Sequence, residues 1–313
     1  MAPGLPASLV TGLALLGSGL AAAAPSGGGN GAAEVGFGYE SQSAPLVRLT
    51  PQGTLVRLDG VARLAGSHER INLGGMHDWP LADGLRLALG GDLHVKHSPQ
   101  SRDLDFVNAA VNPMLRWSAL GGFLGLGPNV QHIAVAGRHF RDAVSFHADW
   151  TQADDGGSHW MLMADVGRNR HRGDLVDLDS TSAMLLLQRH LAAPLPGIDG
   201  FDIDLSLVRE RNDRRFPELS SRNLMVRLGL ERRQWEVTWS VGASGQWARF
   251  DDTPLATLSR RRDQSLILEA GAERELAPGR SLRLEWTTAR NRANLPLYEN
   301  RYRQVALGFN WAW

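Results

Sequence analysis

The chain has no cysteine and one lysine, Lys96, among its 313 residues. The missing thiols exclude a disulfide framework, thiolate metal sites and thiol catalysis, and they are compatible with an oxidising envelope compartment. Net charge is lacking too: 33 basic and 33 acidic residues cancel, which argues against a nucleic-acid partner. Beyond residue 31 no apolar run approaches the roughly 20 residues that a spanning helix needs, and the mean hydropathy is −0.23. No glycine-rich nucleotide loop, metal-spaced histidine pair or other motif with a mechanism attached is present. The sequence therefore predicts no cofactor, no metal and no enzyme. If this chain resides in a membrane it crosses as strands, because backbone polar groups in lipid must be paired internally.

The N-terminus reads as an export signal. Leu9 to Ala24 is an apolar stretch that closes in four alanines and is followed by Pro25 and the run Ser26 to Gly31. The stretch is too short to span and its exit is small-residued, as signal peptidase requires, although no Lys or Arg precedes Leu9. The expected organisation is a signal peptide over 1–23, a flexible linker over 24–33 and a single domain over 34–313.

What is abundant is alternation. In the closing segment Val305, Leu307, Phe309, Trp311 and Trp313 share one parity, while Ala306, Gly308, Asn310 and Ala312 share the other. Strand side chains alternate between faces, so this is a strand with one apolar face, of the kind a membrane barrel presents to lipid and its assembly machinery recognises. The same period recurs upstream, notably at Trp235 to Ser244 and Leu224 to Glu231, where a helical stripe would mix tryptophans with charges. Counting back predicts strands near 301–313, 280–292, 262–275, 235–249, 222–233, 201–211, 181–191, 159–170, 143–151, 130–138, 103–118, 84–97, 69–79 and 53–65. A further piece, Val35 to Tyr39, either lengthens the first strand, forms its own or crosses the lumen. The breaks tend to alternate between compact turns and longer polar loops, as in outer-membrane barrels. The predicted fold is an all-β, transmembrane, antiparallel up-and-down β-barrel of about fourteen strands, within a range of twelve to sixteen, in the outer membrane of a Gram-negative cell.

Charges fall into two groups. On the inward parity both signs occur, at Arg57 and Asp59, Arg86, Asp92, His94 and Lys96, Asp202 and Asp204, Arg227 and Glu231, Glu269 and Glu273, Arg283 and Glu285. A self-neutralising ladder is the expectation, with a selectivity wall as its alternative. At the ends assigned to the outside, arginines cluster: Arg168, Arg170 and Arg172; Arg209, Arg211, Arg214 and Arg215; Arg260, Arg261 and Arg262; Arg290, Arg292, Arg301 and Arg303. Guanidinium binds phosphate bidentately, so these are candidate lipopolysaccharide contacts. Ser145, His147 and Asp149 share a parity on one strand and read as polar lumen filler rather than a triad.

The C-terminal third resembles a known family. Arg262-Asp263 at the head of a strand, the turn Ala277-Pro278-Gly279, and Asn294 to Arg301 with Tyr298 before the closing strand are similar to the barrel domain of the surface lipoprotein assembly modifiers. The resemblance covers about the last 55 residues, as degenerate motifs do. It implies a fourteen-stranded barrel and a role in moving lipoproteins or other secreted cargo to the cell surface. The helical-repeat domain that precedes the barrel in that family is not visible here. A passive porin-like or structural barrel is the alternative reading.

Overall fold

The computed structural model describes residues 29–49, 55–214, 216–253 and 259–313. The expected signal peptide lies outside them. Fourteen antiparallel strands close into one barrel: β1 (Gly29–Leu49), β2 (Leu55–Ala82), β3 (Leu85–His97), β4 (Phe106–Ala119), β5 (Gly122–Val135), β6 (Arg138–Ala153) and β7 (His159–His171). The circuit continues through β8 (Ser180–Leu195), β9 (Ile198–Asn212), β10 (Ser221–Gln234), β11 (Val237–Phe250), β12 (Arg262–Ala277), β13 (Arg280–Ala293) and β14 (Asn300–Ala312). Each strand pairs with its sequence neighbour, and β1 pairs with β14 from Ala32 opposite Ala312 to Ser43 opposite Arg301.

The expected count of fourteen holds, but its first members differ. The segments 53–65 and 69–79, expected as two strands, are parts of the single strand β2, and Val35 to Tyr39 belongs to a separate strand, β1. Residues 66–68, the gap between those two expected strands, pair with β1 without interruption, and His68 is buried on the lumen side. Gly29 to Ala33, expected as linker, are already strand. Pro113 and Pro128, which blur the pattern between Leu104 and Phe140, sit in β4 and β5 where the pairing skips Asn112 to Met114. Proline cannot donate to a ladder, and two prolines meeting at one gap cost the sheet a single interruption.

Period two sorts the side chains. Phe37, Ile71, Leu89, Val111, Phe146, Val166, Leu185, Leu205, Leu228, Val241, Leu266, Leu284, Val305 and Leu307 are all exposed, on the outside. Polar and small residues of the other parity face the lumen. Such an inversion of the usual burial rule is stable only when the exterior solvent is hydrocarbon. The strand ends differ. Five of the connections at one end are two-residue turns, such as Asp83-Gly84, Pro196-Gly197 and Pro278-Gly279, and the sixth is Asp154–Ser158. The opposite end carries the longer connections, with one exception, the Ala136-Gly137 turn. Trp79, Trp117, Trp150, Trp160, Trp239 and Trp311 lie toward the short-turn end, an interfacial aromatic girdle.

Closure is locked from inside by two polar networks on β1. Arg70 Nη2 lies 2.5 Å from Glu34 Oε1 and 2.5 Å from Glu285 Oε2, joining β1, β2 and β13. Glu40, only 1% exposed, takes Lys96 Nζ at 2.8 Å and the Tyr302 hydroxyl at 3.0 Å. The Tyr302 hydroxyl also lies 2.9 Å from Gln304 Oε1, and Gln304 meets His68 Nε2 at 3.0 Å. Gly38 makes room for this: a Cβ there would stand 2.6 Å from the His68 ring.

Two outcomes follow. Glu40→Ala leaves Lys96 and the Tyr302 hydroxyl without the carboxylate they share, and should cost about 3 kcal/mol or more, read as a lower urea midpoint of the refolded barrel. In the β10–β11 turn Trp235 and Glu236 both adopt positive φ, 52° and 62°. Glu236→Gly should raise the stability by about 1 kcal/mol, read as a higher urea midpoint, since glycine carries no Cβ penalty there.

Candidate functional site

All fourteen strands contribute to one cavity of 1380 Å³ running through the lumen. Among the described residues no helix or sheet element crosses it. Its walls are polar because the inward parity must solvate a water-filled interior or pair with itself.

Ion pairs of the expected ladder exist. Arg227 lies 3.4 Å from Asp204 and 3.7 Å from Glu269, and Arg283 lies 2.9 Å from Glu285. The ladder does not balance, however. From β9 to β13 the cavity wall carries Asp202, Glu210, Glu231, Glu269, Glu273 and Glu285 against Arg227, Arg233 and Arg283. The wall from β1 to β7 presents Arg70, Lys96 and Arg141 against Glu34, Glu40, Asp92, Asp103 and Asp165. β3 and β10 are seven strands apart in a ring of fourteen, so these walls face each other. Carboxylates therefore outnumber arginine and lysine on both sides of the lumen. The side chains of Arg57 and Asp59 lie outside the described residues.

The charge that balances the lumen is on the outside. Arg209, Arg222, Arg249 and Arg262 stand in direct cross-strand register over β9 to β12. They share the outward parity of Leu205, Leu224, Trp247 and Leu266 and lie one turn of the strand beyond that apolar band, toward the loop end. Arg290 opposes Arg301 in the same way on β13 and β14, with Arg292 and Arg303 beside them. Like charges directly opposite each other are destabilising unless an anion lies between. Asp251 supplies one, forming a bidentate contact with Arg209 and lying 3.9 Å from Arg222. The Arg209 guanidinium holds the Asp251 carboxyl below its ordinary range, against the opposing effect of partial burial.

The expected arginine contacts divide. Arg168, Arg170, Arg211 and Arg262 are exposed on the outward parity, Arg172 and Arg260 are exposed in loops, and Arg215 lies outside the described residues. Arg214 is engaged with Asp179 at 3.0 Å. Arg261 departs from the expectation, being 7% exposed and turned inward. Arg222 and Arg249 were absent from the expected clusters, though each shares parity with an apolar strand residue two positions away, and that parity could have found them.

The family-like motif residues come together at the loop end. Arg261 pairs with Asp263 at 3.0 Å, its guanidinium lies 3.4 Å from the Tyr298 ring centroid and 4.2 Å from that of Phe250. Asn294 accepts from the Arg262 N–H at 2.7 Å and donates to the Arg260 carbonyl at 2.8 Å. The partner of Asp263 is thus Arg261, not Arg262, while Arg262 and Arg301 face outward. Together these contacts tie the 294–299 connection to the head of β12.

Ser145, His147 and Asp149 do line one face of β6, but not as a relay. The Ser145 hydroxyl donates to Asp165 at 2.8 Å, and His147 sits between Asp149 at 3.3 Å and Asp165 at 3.8 Å.

No family model matches this chain, and no curated protein matches it. Among solved structures it is similar to Pseudomonas aeruginosa OpdK with vanillate, at 12% identity over 91% of this chain and 99% of that one, with a TM-score of 0.46. It is also similar to the outer membrane protein OprD of Pseudomonas aeruginosa, at 8% identity over 91% and 94% of the two chains and a TM-score of 0.47. A third is a loop L8 deletion mutant of OmpT, an outer membrane protein of Vibrio cholerae, at 9% identity over 90% and 99% and a TM-score of 0.43.

The Asp251 clamp makes an acid-sensitive element. Its folded-state value lies below the ordinary one, so the stability it supplies is present above the ordinary carboxylate range and is lost as pH falls through the depressed value. Limited proteolysis of the 251–261 connection should accelerate on acidification, and Asp251→Asn should show the fast rate at neutral pH already.

Proposed function

We propose that this protein is an outer-membrane channel whose lumen passes small solutes and favours cations. The observation that carries the reading is the unbalanced lumen: a cavity lined by every strand, in which carboxylates outnumber arginine and lysine. A net-negative passage concentrates cations and repels anions. An exterior of apolar side chains with an aromatic girdle supports residence in a bilayer, and the closed strand count supports the outer membrane.

Orientation follows from the two ends. The short turns and aromatics face the periplasm, where Trp313 and the closing strand are presented to the barrel-assembly machinery, and the longer loops face outward. The arginine register on β9 to β14 then stands at the level of the outer-leaflet phosphates. Lipopolysaccharide, with acyl chains against the apolar band and phosphates against Arg222, Arg249 and Arg262, relieves the like-charge repulsion. Charge reversal of these three arginines is expected to strip co-purifying lipopolysaccharide; unchanged retention refutes the contact.

The translocation of surface lipoproteins or other cargo, implied by the family resemblance, is the second reading. It is favoured by the joining of Asp263, Asn294 and Tyr298 into one rim cluster. Protease shaving of intact cells with and without the gene tests it: an unchanged surface proteome counts against it.

Planar-bilayer recordings under a salt gradient test the channel. The expected reversal potential has the sign of cation preference, and Asp202→Asn, Glu269→Gln and Glu273→Gln combined should move it toward zero. Absence of conductance, or preference for anions, overturns the reading.

A further inference from the structure

Period two places His139 and Asp142 on opposite faces of β6. The structure places them on the same face. Ile133 pairs with Arg141 but Ala134 pairs with His139, so Phe140 is an extra residue with no partner, a β-bulge one turn from the Ala136-Gly137 hairpin. The bulge reverses parity above it. His139, opposite Ala134, joins Asp142 and its partner His132 on the outward face at the loop end.

The three side chains converge. His132 Nδ1 lies 2.7 Å from Asp142 Oδ1, His139 Nε2 lies 3.3 Å from Asp142 Oδ2, and the two rings meet edge-on with centroids 4.7 Å apart. One ligand atom from each residue falls within 4.8 Å of the other two. His139 Nε2 is shielded from solvent and has no hydrogen-bond partner among the described residues. Ligands at about 2.1 Å from a tetrahedral ion stand about 3.3 Å apart, the separation already present between His139 and Asp142. Arg172 approaches Asp142 at 4.0 Å, but it is 74% exposed and free to swing into solvent. Bulges recur where a strand must re-aim a side chain at a functional site.

We propose that His132, His139 and Asp142 bind a divalent transition-metal ion of the zinc class. Two imidazole nitrogens and one carboxylate oxygen are the donor set that suits such an ion, and they leave a fourth position for water or for a ligand brought from outside the cell. The site lies on the exterior of the β5–β6 hairpin, away from the lumen, so it stands or falls independently of the channel reading.

Cobalt(II) titration of the full-length barrel refolded in detergent tests this. One equivalent is expected to give the intense visible absorption of a four-coordinate site, displaced by zinc. Each of His132→Ala, His139→Ala and Asp142→Asn should weaken binding by about a hundredfold or more, beyond what loss of an outer-shell partner costs. His97→Ala, which removes a histidine paired with Asp105 on another hairpin, should leave binding unchanged. Heat-modifiable mobility on gels verifies that each variant has folded, and Asp142→Asn keeps the side-chain shape should an alanine variant fail to fold. Only the weak spectrum of the aqueous ion, or equal binding by a folded Asp142→Asn barrel, overturns the proposal.

Discussion

Every backbone N–H and C=O that faces hydrocarbon must find a partner within the chain, and the rest of this structure depends on that requirement. Thirteen neighbouring pairings arise from hairpins that are local in sequence, but the fourteenth, β1 with β14, joins the two ends of the domain. It is the one ladder that no turn enforces. The buried groups gather there: Glu40 on β1 meets Lys96 and, across the seam, Tyr302, while Arg70 joins Glu34 on β1 to Glu285 beyond the seam. An unpaired charge in this position is costly, so the networks penalise any register but the native one.

Alternation then distributes charge as strictly as it distributes apolar surface. A chain of zero net charge becomes a barrel with a carboxylate-rich lumen and an arginine-rich outer rim. Neutrality in composition does not mean neutrality at either surface, because parity separates residues that are adjacent in sequence by the thickness of the wall. Both surfaces acquire a field of their own.

Local departures from regularity fall where the wall does something more than close. The unpaired Phe140 brings two histidines and an aspartate to one outward face. The positive-φ turn at Trp235 and Glu236 holds a tryptophan at the bilayer interface, 82% exposed. The inward-turned Arg261 stacks on two aromatic rings and fastens the last long connection to the sheet.

Fold class, antiparallel order, the closing strand and the faces of most side chains are legible in the order of residues, because period two is a local property that one strand displays without its neighbours. Val305, Leu307 and Phe309 could be assigned to the outside, and Asp202 and Glu269 to the lumen, from parity alone. Tertiary structure decided what parity cannot carry. The division of the N-terminal third into β1 and a long β2 depends on pairing partners far away in the chain, and so does the meeting of Glu40 with Lys96 and Tyr302. The bulge at Phe140 changes the phase of alternation, and a phase shift of one residue leaves no mark in composition or hydropathy. Register and phase are relations between strands, and only the closed sheet fixes them.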